Sequence, residues 1–235
     1  MPDPDPLLSQ ITATAHETCL YNRVRRNMIF AWLSQDLGQD ISLKFKARRG
    51  QAVLKGTAGK RKVRAHELAI IDAERRSLTW CWAEGAQLGP DEATYAHALQ
   101  AAGVQRGLSV FSTENVHIPA GFDLKRVSTE VAFAASSLLG REYVIFEVEL
   151  DRQGSWAVFV LDFEDTLVPT PTSVDISNSL ADVLDASFDP LASLEGLVES
   201  EPGWHLAELN ATQHILRDPN GNEHIVEGLK HCAMA

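Results

Sequence analysis

The densest group of carboxylates in the chain closes an apolar run: Asp162, Glu164 and Asp165 end the stretch "WAVFVLDFED". On an extended strand Asp162 and Glu164 project to one side, a spacing at which two carboxylates can hold a cation or share a proton. The same types also suit a solvated strand exit, where acids are common. Two more titratable residues stand beside aromatic positions: Glu84 follows "TWCWA", and His97 lies two residues after Tyr95. Glu84, His97, Asp162 and Glu164 are therefore the candidate binding residues. They are far apart in sequence, so only the fold could join them.

Local signatures for other chemistry fail on spacing. "GTAGKRK" has two residues between Gly56 and Gly59 where a phosphate loop needs four, and Arg61 stands where Ser or Thr should reach magnesium. The eight histidines make neither an HxxxH nor an HxH pair, although four fall in the last 31 residues. No metal or cofactor is expected. There is no GxSxG, and Cys19, Cys81 and Cys232 form no CxxC pair, so neither a nucleophile elbow nor a disulfide framework is indicated.

Charge is divided along the chain. Residues 1–76 hold 14 of the 21 Lys and Arg against 8 acids, a balance of +6, whereas residues 77–235 carry −17. The basic share concentrates in Lys44, Lys46, Arg48, Arg49, Lys55, Lys60, Arg61, Lys62 and Arg64. Alternation would place many of these on the wet face of one sheet. That face could receive an anionic ligand, an acidic protein or nucleic acid, or could simply discourage edge-to-edge pairing. Phe45 is the one interleaved aromatic and alternates inward, so base stacking is not supported and nucleic acid ranks last.

The elements that must position these residues follow from periodicity. Residues 1–5 are expected to be disordered, and Asp5-Pro6 opens an amphipathic helix over 6–20. From about 27 to 84 the period reads as two, giving an antiparallel meander that includes "ISLKFKA", a strand at 61–71 and "SLTWCWA". Alternation puts Leu78, Trp80 and Trp82 on one face, both indoles buried against a helix with Tyr95, Ala98, Leu99 and Ala102 as its stripe. A helix capped by Asp123 and stopped by Gly140 follows, then "YVIFEVEL" and a central strand "WAVFVLDF". After "VPTPTS" come helices near 176–187 and 191–199, and a hairpin turning at Asn220-Gly221. The fold class is α+β, with mostly antiparallel sheet and helices packed on one face. The expected division is an α+β domain over 6–168 and a C-terminal part over 172–235, packed on it.

The stretch "KVRAHELAIIDAERRSLTWCWAEG", followed by "ALQAAGVQRGLSVFSTENVHI", resembles an uncharacterised, mainly actinobacterial protein family of unknown function. The resemblance rests on Thr79, Trp80, Trp82 and Ala83 and on a helix ending near Gly107, and covers about residues 25–165. Family members usually have asparagine where this chain has Glu84. The resemblance implies a shared fold and no activity. No run of 18 apolar residues and no leader-like N-terminus occur, so a cytoplasmic bacterial protein without a membrane span is expected. The favoured function is a non-catalytic domain binding a protein partner, a second copy or a small ligand. The alternative is an enzyme with a site assembled from distant acids and histidines.

Overall fold

A computed structural model describes residues 5–46, 50–83, 94–163, 167–187, 189–210 and 212–227. The chain is α+β with antiparallel sheets, divided into two compact units: 1–15 with 30–168, and 16–29 with 169–235.

In the first unit, β1 (Ser42–Lys46), β2 (Gln51–Lys55), β3 (Lys60–Asp72), β4 (Ser77–Trp80) and β5 (Asn115–His117) follow one another in the sheet. β7 (Trp156–Asp162) pairs with β3 and with β6 (Val144–Glu149), and every pairing is antiparallel. β3 can hold three neighbours because it is 13 residues long: residues 60–64 meet β2, 69–72 meet β4, and 64–71 meet β7. Phe45 of β1 stacks on Phe159 of β7 with centroids 4.9 Å apart, although their strands are not neighbours, so the sheet is curled. β7 is buried from Ala157 to Leu161 and paired on both edges, as its unbroken apolar run predicts.

α4 (Leu124–Leu139) packs on β6 and β7, with Thr129 donating to the Glu147 carboxylate at 3.1 Å. Its start and stop are those read from the sequence: Asp123 accepts from the Lys125 amide and Gly140 ends the helix at φ +121°. α3 (Thr94–Gln105) lies against α4 and β3, and α1 (Pro6–His16) is tied to α4 by a buried bond from Thr12 to Glu130 at 2.8 Å. Arg126 completes that arrangement on the other Glu130 oxygen, so the buried carboxylate is paired.

The second unit is built from the first part of α2 (Cys19–Leu37) and the C-terminal segment. Leu20, Tyr21 and Val24 share one core with Leu180 and Val183 of α5 (Ser173–Asp185), Leu194 and Leu197 of α6 (Pro190–Ser200), Trp204 and Leu216. A capping box between Thr172 and Asp175 starts α5, and Asp189 with Pro190 starts α6. β8 (His205–Asn210), β9 (Gln213–Arg217) and β10 (Glu223–Glu227) form a three-stranded sheet in the order β10-β9-β8. The expected Asn220-Gly221 hairpin joins β9 to β10, with Gly221 at φ +85°.

Four sequence expectations need correction. The period-two reading from residue 27 fails up to Leu37, because α2 is helical there and buries Ile29, Leu33 and Leu37 at four-residue spacing. "NMIFAWL" is nearly continuous in apolar residues, a run whose period does not separate strand from helix. The single helix over 6–20 is two helices, α1 ending at His16 and α2 beginning at Cys19. β4 stops at Trp80, and residues 81–82 turn with the Ala83 amide on the Trp80 carbonyl. Trp80 is therefore fully buried while Trp82, past the end of the alternation, is half-buried. The buried face of α3 is Ala96, Leu99 and Gly103, with Ala98 exposed. Phe111, not an alanine stripe, packs against the Trp80 ring at 5.0 Å.

Candidate functional site

Register sets the character of one end of the curled sheet. Across β1, β2 and β3 the rows are Ser42–Lys55–Lys60, Lys44–Val53–Lys62 and, in backbone terms, Lys46–Gln51–Arg64. Period-two geometry puts these residues on one face. Lys44, Lys55, Lys60, Lys62 and Arg64 are all exposed, with half-buried Val53 among them. The intervening residues Ala52, Leu54 and Val63 are buried on the opposite face. Arg61 also belongs to that opposite side, its guanidinium over the rings of Trp32 and Phe163 at 5.3 and 5.5 Å. The sequence reading of a shared basic face therefore holds for five of the nine cations, with Arg61 turned away. The side chains of Lys46, Arg48 and Arg49 lie outside the described set.

This arrangement opposes stability. Lys55 and Lys60 pair directly across β2 and β3, a placement in which like charges disfavour the strand pair. Lys44, Lys55, Lys60 and Lys62 have no carboxylate partner among the described residues.

At its β7 border the basic face meets a cluster of rings. Arg64 pairs in register with Asp162, and His66 follows on the same face of β3. The His66 ring lies 4.7 Å from Tyr95 of α3, and Tyr95 meets Tyr143 edge-on at 5.4 Å. Burial, then the Asp162 charge, then Tyr143 push the Tyr95 hydroxyl up. Asp162 is thus in register with the basic face and close enough to the ring cluster for its charge to act on Tyr95. His97, two residues along α3 from Tyr95, is exposed and leaves the helix on the far side. Glu84 and Glu164 lie outside the described residues.

A second titratable group was missed in sequence. Glu67 sits at a β-bulge in β3 between residues 67 and 69, only 7% exposed, and burial pushes its carboxyl up to about 7. Cys81 lies near it, its thiol pushed up by burial and then by the Glu67 charge. A thiol held in that direction is a poor nucleophile. The available signal was a lone acid inside the apolar run "AHELAII".

Among the described residues no group of three or more His, Cys, Asp or Glu is arranged to hold a metal ion. No helix among them is long and apolar enough to cross a membrane. No curated protein and no solved structure matches the chain. Residues 13–164, which include the whole basic face and its ring border, match the family described as a family of unknown function, DUF6882, and the chain belongs to that family.

Proposed function

We propose that the protein is a non-catalytic binding module whose exposed β1–β2–β3 face docks an acidic protein surface. The observation that supports this is the row of Lys44, Lys55, Lys60, Lys62 and Arg64, held together despite direct Lys55–Lys60 opposition. Lysine predominates, and no ring stands within the rows, so the bidentate and stacking contacts favoured by nucleic acid are missing.

The test is binding of polyglutamate and of random duplex DNA at several salt concentrations. Polyglutamate should bind at low salt, weaken as salt rises, and be lost in the variant Lys55→Glu/Lys60→Glu/Lys62→Glu. Equal binding by wild type and variant would overturn the reading, and a preference for DNA would transfer it to nucleic acid.

A second reading, an enzyme with a site assembled from distant residues, has one observation in its favour: His66, Tyr95 and Asp162 approach one another from β3, α3 and β7. Turnover of simple ester or phosphoester probes that disappears in both His66→Ala and Asp162→Asn would favour that reading over docking.

A further inference from the structure

Between Arg152 and Arg217 the chain contains 11 Asp and Glu and no Lys or Arg. Two helices of this stretch expose the charge. On α5, Val174, Asn178, Asp182 and Asp185 fall within one stripe of the helix and all are exposed. Its buried residues Ile176, Leu180, Val183 and Leu184 include none of them. On α6, Glu195 and Glu199 are four apart and exposed, away from buried Leu191, Leu194 and Leu197. Neither helix contains a cation to offset these acids. Asp185 and Glu199 also stand at helix C-termini, where the macrodipole disfavours a negative charge.

The two surfaces are complementary in more than sign. The basic face has Val53 among its cations, and the α5 stripe has Val174, 51% exposed, beside its acids. An apolar centre within a charged rim is the usual plan of a protein interface. We infer that a second copy of this chain is an occupant of the basic face, presenting its α5–α6 acids to Lys44, Lys55, Lys60, Lys62 and Arg64. The inference rests on the reading of that face as a docking surface and names its partner. Mutual exchange of the two surfaces closes a dimer, and one-sided exchange extends a chain of copies.

Sedimentation velocity on the full chain tests it. Association should rise with protein concentration at about 20 mM salt and disappear near 0.5 M, where screening reaches a few ångströms. Lys55→Glu/Lys60→Glu/Lys62→Glu and Asp182→Lys/Asp185→Lys/Glu195→Lys should each be monomeric alone. All six positions are exposed, so unchanged circular dichroism is expected. An equimolar mixture of the two variants should associate again, because each reversed surface then faces its opposite. A wild type that stays monomeric at low salt, or a mixture of folded variants that fails to associate, would overturn the inference. If wild type is monomeric but polyglutamate binding still depends on the three lysines, the docking face stands and only the second copy is excluded.

Discussion

The indole Nε1 of Trp80 donates a 3.0 Å hydrogen bond to the Val110 carbonyl, inside a core where both residues are fully buried. The ring therefore fills space and satisfies an acceptor that no water can reach. Trp80→Phe keeps most of the volume and should cost about 1–3 kcal/mol through the orphaned carbonyl. Trp80→Ala should cost about 3–5 kcal/mol. Trp82→Ala should cost clearly less, since that ring is half-buried and its Nε1 has no hydrogen-bond partner among the described residues. Chemical denaturation of the three variants measures the order.

Glu67 makes stability fall with rising pH. Its carboxyl moves from an ordinary 4.5 to about 7 on folding, so the folded state retains a proton that the unfolded state has released. The contribution is fully present below about 4.5 and is lost as pH rises to about 7, on the order of 3 kcal/mol in all. Glu67→Gln should remove most of this slope and be the more stable protein at pH 8. A denaturation midpoint that does not move between pH 5 and 7 in wild type would contradict this.

Asp218 works in the opposite sense in the second unit. The Asn222 side chain, the Ser177 hydroxyl and the amides of Asn222 and Asn220 hold its carboxyl well below the usual range, against the effect of burial. Its contribution is present above an ordinary carboxylate pKa of about 4 and is lost as pH falls from there toward its depressed value. Asp218→Asn should lower stability at neutral pH and flatten the acid limb of the curve. Trp204, buried in the same unit, is a natural fluorescence reporter.

Gly196 marks a close approach between α6 and the His16–Glu17 backbone that precedes α2. A Cβ there would stand 2.2 Å from the His16 carbonyl oxygen, so the backbone itself must shift. Gly196→Ala should cost about 1–3 kcal/mol as an overpacked contact. Gly121, with no described residue within 4 Å of an added Cβ, is the control, and Gly121→Ala should change stability by less than about 0.5 kcal/mol. Thermal melts of the pair check the contrast.

How far the sequence revealed this molecule varies by feature. Alternation located the basic face because Lys44, Lys60 and Lys62 sit in strands with clear period-two burial. Caps located α4 because Asp123 and Gly140 act locally. Periodicity failed for α2, where Met28 to Leu33 is apolar on all sides, and for Trp82, where the strand ends before the pattern does. The meeting of Tyr95 with His66 and Asp162 had no local signature. It depends on α3 lying over β3 and on the β3–β7 register, both long-range facts.

The pairing of residues 16–29 with 169–235 in one core has a consequence for synthesis. Leu20, Tyr21 and Val24 leave the ribosome about 150 residues or more before their covering helices do, an interval of at least roughly 7–30 s at ordinary elongation rates. During that time an apolar helix face waits uncovered, although the first unit can complete its sheet. A chain cut after Val168 would leave that face without its core partners, so such a fragment should aggregate unless residues 16–29 are altered as well.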